Sequence, residues 1–227
     1  TYSFFIPTVT ASDNPDLNGR LIYVDPVSFG NITKDEVTGN EIGKAMVFFY
    51  NNTTKSIEAK QYNYDMQLDS VFGTGSTITD AAIIEDRLSD LLDYHIIIGD
   101  VEDSRNFEYF QAKGRGTIKI GRDAADSVRY VYGGYQIETG EPCKVLTRYD
   151  MTTANGNGKT YIIDKPLQTS RKSVYDILSD SINYPEFEEF HKLVQAANLY
   201  ASNMNEHAIG SIRNINTFNT YHYTVYV

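Results

Sequence analysis

The sequence predicts an α+β domain, and three observations predict it. Short β-branched or aromatic runs bounded by turn residues recur between residues 2 and 167. A single amphipathic helical pattern interrupts them near 79–93. Beyond Leu167 the apolar spacing changes from that of strands to that of helices.

The first run, from Tyr2 to Thr8, reads as a core strand that stops at Pro7. The segment TASDNPDLNG at 10–19 is dense in turn formers and reads as a loop. Strand-like runs follow at 21–29, 44–52 and 56–64. Asn51-Asn52-Thr53-Thr54 makes a hairpin turn, so the last two runs are expected to pair antiparallel. A helix then starts at Thr77 or Thr79 as cap and carries Ile84, Leu88, Leu91 and Leu92 on one face. Asp80, Glu85 and Asp86 sit towards its start, where the helix dipole favours them.

DYHIIIGD at 93–100 reads as a buried strand entered directly from that helix. Short strands are expected near 107–112, 116–121, 128–132 and 143–149, with glycines between them. GRGTIKIGR at 114–122 lacks the strand, Gly-loop and helix order of a phosphate loop and reads as a hairpin. Asn155-Gly156-Asn157-Gly158 turns the chain into KTYIIDKPL at 159–167, a strand that Asp164 and Pro166 end. Ser173 with Asp176 resembles a capping box for a helix to about Ser181. Pro185 opens a second helix to about 198, with Phe187, Phe190, Leu193, Val194 and Ala197 as its stripe.

FFIPT at 4–8, Tyr94-His95 and Ile163-Asp164-Lys165, in that order, resemble the fasciclin-like domain. That family has a strand ending in Pro-Thr, a Tyr-His strand and an Ile-Asp-Lys strand. The resemblance implies a compact β-wedge or sandwich of short strands with packed helices. It makes Pro7, Thr8, Tyr94, His95, Ile163 and Asp164 the family-motif residues, read here as structural. The β-rich interval of about 13–75 departs from the pattern and reads as an insertion. Residues 1–6 and 222–227 match in character position by position, as repeats do. The division that follows is a fasciclin-like domain over 1–168, then the opening helices and first strand of a next repeat over 169–227. The C-terminal helices are expected to cover the N-terminal core, within one chain or by a domain swap.

Function classes narrow as follows. The net charge is −10 and the basic residues are scattered, so nucleic acid is not expected as a partner. No apolar run reaches the ~20 residues of a membrane span. Cys143 is the only cysteine, which excludes an intrachain disulfide and a thiolate metal site. Cys143 itself reads as structural, on a loop or strand edge. Secreted animal proteins of this size usually carry disulfides, which points to a bacterial surface. The resemblance to bacterial surface lipoproteins implies an outer-membrane location and a lipid anchor upstream of this chain.

Histidines 95, 191, 207 and 222 show no ligand spacing, and no base sits beside a nucleophile, so the reading is non-catalytic with no cofactor. Asn14, Asp16, Asn18 and Asp25 echo a calcium loop but lack its flanking helices, and an Asx turn is preferred. The expected activity is cell adhesion or surface binding through a surface or matrix protein or a glycan. The alternatives are a carbohydrate-binding lipoprotein beside a glycan uptake system and a secreted hydrolase. With 18 Tyr, 11 Phe and no Trp, a ligand surface is expected on the insertion. Tyr23, Phe29, Phe48, Tyr50, Tyr62 and Tyr64 are its candidates, with Tyr62 and Tyr64 on one strand face.

Overall fold

The computed structural model describes residues 1–8, 20–24, 32–101, 107–122, 128–152, 156–170 and 174–201. The chain is α+β, with two sheets and one helix between them. The smaller sheet is a meander of β2 (Leu21–Val24), β4 (Glu41–Asn51), β5 (Ser56–Asp65) and β6 (Ser70–Ile78), in that spatial order. A two-residue strand, β3 (Thr33–Lys34), also pairs with β4. The expected hairpin is present: Asn51 lies opposite Ser56, and the Asn51 carboxamide oxygen accepts from the N–H groups of Thr53 and Thr54.

α1 (Ala81–Tyr94) follows, capped by Asp80, whose side chain accepts from the Ala82 N–H. Thr77 cannot be the cap because β6 runs on to Ile78. Ile84 and Leu91 of α1 pack on Tyr23, Met46, Phe48 and Ala59 of the meander.

The larger sheet holds β1 (Tyr2–Pro7), β7 (Ile96–Ile98), β8 (Glu108–Gln111), β9 (Thr117–Arg122), β10 (Arg129–Tyr132), β11 (Cys143–Asp150) and β12 (Gly158–Ile163). Its order is β7-β1-β12-β11-β10-β9-β8, and a bridge from Ile97 to Ala112 brings the last strand back to the first. The sheet is thus nearly closed into a small barrel. β1 and β12 run parallel, and every other neighbouring pair is antiparallel. Strand alternation sends Ser3, Phe5, Ile97, Tyr161 and Ile163 inward, where all are buried. Phe5 stacks on Tyr161 with ring centroids 5.2 Å apart, and the Tyr161 hydroxyl donates to the Val101 carbonyl at 2.9 Å.

The 114–122 segment is a hairpin as expected, its turn closed by Ala112 N–H to Gly116 carbonyl at 2.8 Å. Gly114 lets that turn approach the end of α1: its N–H donates to the Asp93 carbonyl at 3.0 Å, and a Cβ there would meet the Tyr94 backbone at 3.2 Å.

Several expectations need correction. Tyr94 and His95 do not lie on a strand: Tyr94 ends α1 and His95 is its C-cap. The helix runs on because Leu91 and Tyr94 both find buried positions, and only Ile96–Ile98 remains as strand. Cys143, expected on a loop or strand edge, is the buried first residue of β11. Gly133 and Gly134 do not merely separate strands but open a short helix, α2 (Gly134–Thr139).

The C-terminal segment is helical: α3 (Val174–Ser179), a 3-10 turn (Pro185–Phe187) and α4 (Glu188–Ala201). Tyr184 and Phe187 stack at 5.9 Å. Leu178 of α3 is buried, while on the α4 stripe Leu193 is 67% exposed and Phe187, Phe190 and Val194 are partly buried. The proposed repeat match at 222–227 lies outside the described residues.

Leu91 sits at the junction of α1 and the meander at 1% exposure. Leu91→Ala is expected to lower stability by about 2–5 kcal/mol in urea titrations. The adjacent Leu92→Ala, on the exposed side of the same helix, is expected to cost no more than about 0.5 kcal/mol. Equal losses would mean that α1 is not anchored by that face.

Candidate functional site

The motif residues meet at one place, where the end of α1 reaches the chain leaving β12. His95 is buried and both ring nitrogens are engaged. Nδ1 donates to the Leu91 carbonyl at 2.7 Å, and Nε2 accepts from the Leu167 N–H at 3.0 Å. Only the neutral ring in one tautomer satisfies both bonds. Burial accordingly pulls its pKa down to about 4, opposed in part by the bond to Leu91.

The Tyr94 hydroxyl donates to the Thr117 carbonyl at 3.0 Å and accepts from the Gly134 N–H at 2.8 Å. Burial drives its pKa well above the usual phenol range. Gln136 completes the node: its carboxamide oxygen accepts from Gly133 and Gln168 N–H groups, both at 3.1 Å, and its nitrogen donates to the Pro166 carbonyl at 3.2 Å. The Cys143 thiol lies 3.8 Å from the same carbonyl, and burial pushes its pKa up to about 12. A thiol held protonated in this way is a poor nucleophile.

Asp164 closes the β12 end: its carboxylate accepts from the Lys144 N–H at 2.8 Å. Its carbonyl accepts from the Thr8 hydroxyl at 3.0 Å, and the Thr8 N–H donates to the Ile163 carbonyl at 2.7 Å. Pro7 pairs with Ile163 in the parallel ladder. The structure therefore brings Pro7, Thr8, Ile163 and Asp164 together at one strand end, with Tyr94 and His95 anchored nearby through Leu167 and Gly134. Their chemistry is that of a clamp, since each polar group is occupied by backbone.

The aromatic candidates on the meander behave differently from expectation. Tyr62 and Tyr64 do share one face of β5, but both are buried, as are Tyr23 and Phe48. These positions are covered on either side of the sheet. α1 packs on Tyr23 and Phe48, while Gly75 of β6 lies directly over the Tyr62 ring and Asp69 accepts from the Tyr64 hydroxyl. Tyr50 alone is open to solvent, at 55% exposure. Phe29 and the calcium-like residues Asn14, Asp16, Asn18 and Asp25 lie outside the described residues. Among the described residues, no group of three or more acidic, His or Cys side chains is arranged to hold a metal, and no helix is long and apolar enough to cross a membrane.

A different surface emerges on the outside of the barrel. Outward positions alternate with the core: Tyr2, Phe4 and Ile6 on β1, Ile96 and Ile98 on β7, Ile162 on β12 and Tyr149 on β11. The register makes them neighbours, Tyr2 opposite Ile98, Phe4 opposite Ile96 and Ile6 opposite Ile162. Ile98 is 64% exposed, Tyr149 56% and Ile6 48%. No single run announces this face in the sequence. It requires knowing that β1 lies between β7 and β12, because each of those strands contributes only one or two apolar residues.

His95 carries the pH prediction of this node. Its ordinary pKa of 6.5 falls to about 4 in the fold, so between those values the unfolded chain binds more protons. Stability from this group is complete above about pH 6.5 and is lost as pH falls towards 4, by up to about 3 kcal/mol. His95→Gln should cost about 1–3 kcal/mol at pH 7.5 and flatten the pH 4.5–7.5 slope in urea titrations. A variant with parental stability and parental slope would remove His95 from the clamp.

No family model matches this chain, and no curated protein matches it.

Proposed function

We propose that the chain is a non-catalytic binding module of a cell surface, a fasciclin-like domain that adheres to a protein partner through the outer face of its barrel. The observation that carries this reading is that face. Tyr2, Phe4, Ile6, Ile96, Ile98 and Ile162 neighbour one another across three strands, and Tyr149 of β11 lies on the same side beyond Thr160. Contiguous apolar surface at a protein exterior marks interaction sites, whereas single exposed apolar residues do not. The face mixes four isoleucines with Tyr2, Phe4 and Tyr149 and extends over neighbouring strands, and a patch of that extent suits a protein partner better than a single sugar ring.

Two further observations support a binding role. The chemically potent side chains of the motif node, His95, Tyr94 and Cys143, are each buried and engaged with backbone. The Pro-Thr, Tyr-His and Ile-Asp-Lys segments converge on one clamp, as expected of a shared structural signature. The extracellular setting and the lipid-anchored bacterial origin follow from the resemblance.

Ile98→Ser and Tyr149→Ser test the reading. Both side chains are exposed, so each variant should keep its melting behaviour within about 0.5 kcal/mol of the parent. Adhesion of the protein to cells or matrix in a plate assay should fall at least about tenfold. Variants that adhere like the parent would sink this face as the binding surface.

A further inference from the structure

The outside of β8, β9 and β10 differs in chemistry from the face around β1. In β9, Ile118 and Ile120 are buried inward, so Thr117, Lys119 and Gly121 point out. The register carries this outward row across three strands. Tyr109 of β8 lies opposite Lys119, and Lys119 lies opposite Tyr132 of β10. Phe107, just before β8, rests against Gly121, where a Cβ would meet its ring at 2.5 Å. Only glycine lets an aromatic ring come that close to the backbone.

Phe107 and Tyr132 meet edge to face with centroids 5.7 Å apart. The Lys119 ammonium lies 4.8 Å from one centroid and 4.9 Å from the other, so two rings hold one cation in place. Lys119 forms no ion pair with the described residues. No outward position of β8, β9 or β10 is acidic, in a chain whose net charge is −10. Beside this cation the Tyr109 ring is 65% exposed. The next pair along the same face, Gln111 opposite Thr117, adds an exposed carboxamide and an exposed hydroxyl.

An open aromatic ring, a fixed cation and uncharged polar side chains meet here within two adjacent strands. The C–H face of a pyranose packs on an aromatic ring, and its hydroxyls pair with carboxamide and hydroxyl groups. A carboxylate on the sugar would meet the ammonium in a charge-assisted bond. We propose that the outer face of β8 and β9 binds an acidic saccharide, a uronate-bearing glycan, with Tyr109 as the stacking ring and Lys119 as the partner of the carboxylate. An acidic peptide fits this face less well. β9 is paired on both sides, so the face offers no backbone ladder to an extended chain. The site is separate from the face around β1 and does not depend on the role assigned to that face.

Calorimetric titration of the full chain with trigalacturonate and with its methyl ester, at constant ionic strength, tests the proposal. The two probes share a sugar backbone and differ in charge. Saturable binding of the acid is expected, at least tenfold tighter than that of the ester. Tyr109→Ala should weaken binding of the acid at least tenfold with an unchanged melting temperature, because the ring is exposed. Lys119→Gln should abolish the preference for acid over ester, and Lys119→Arg should restore it. Ile98→Ser, on the other face, should bind the acid like the parent. No saturable binding of either probe overturns the site, as does a Tyr109→Ala variant that binds like the parent. Equal binding of acid and ester overturns the acidic class of ligand. Triglutamate bound as tightly as trigalacturonate would assign the face to an acidic peptide and overturn the saccharide. Weakened binding in Ile98→Ser would move the saccharide to the face around β1, which also overturns the proposal.

Discussion

The fold depends on one buried imidazole that joins elements far apart in the chain. His95 accepts from Leu167, 72 residues later, while its other nitrogen holds the last turn of α1. Without that ring, the Leu167 N–H and the Leu91 carbonyl would both be buried without this partner, and each would carry a desolvation cost of about 1–3 kcal/mol. The ring can serve both only while neutral. α1 in turn is the shared wall of two cores: Leu91 packs against the meander and Tyr94 against the barrel. A single residue at the C-cap therefore fixes how the helix end meets both layers.

The nearly closed sheet sorts its side chains into three environments by alternation alone. The inward side is a packed core from Phe5 to Ile163, and at one end it continues into a mouth lined by Arg122, Arg129 and Arg148. The outward side of β7, β1, β12 and β11 carries exposed Tyr2, Ile6, Ile98 and Tyr149 among partly buried apolar neighbours. Closure also removes most of the edge that a seven-stranded sheet would otherwise present. Association through this part of the molecule must then use side chains and not backbone ladders.

Much of this order was legible in the sequence, and the failures have physical causes. The strands at 2–7 and 158–163 and the hairpin at 51–56 rest on local signals, namely apolar runs bounded by Pro, Gly and Asn. α2 was not legible, because its six residues are set in place by Gln136 bonds to Pro166 and Gln168, some thirty residues away. β6 is not legible because SVFGTGSTI mixes glycine and polar residues that carry no strand period. Alternation correctly put Tyr62 and Tyr64 together but could not say that their face is covered. Three isoleucines after Tyr94-His95 mark that segment as a strand, whereas the helix claims Tyr94 and leaves His95 as a cap. The arginine mouth depends on a bulge and on cross-strand register, neither of which a local pattern encodes.

The parallel pairing of β1 with β12 has a kinetic consequence. Residues 2–7 lie between partners near 97 and near 160, so β1, made before either partner, cannot complete its ladder until β12 has emerged. The meander and α1 need only neighbours a few tens of residues away and can form early. Loops this long close slowly, because their entropy must be spent before any contact returns it. The barrel should therefore be the late event of folding, with β1 arriving last into a gap already lined by Ile97 and Tyr161. Until then Tyr2, Phe4 and Ile6 travel as an unpaired apolar strand, the period in which this chain is most exposed to aggregation and to capture by chaperones.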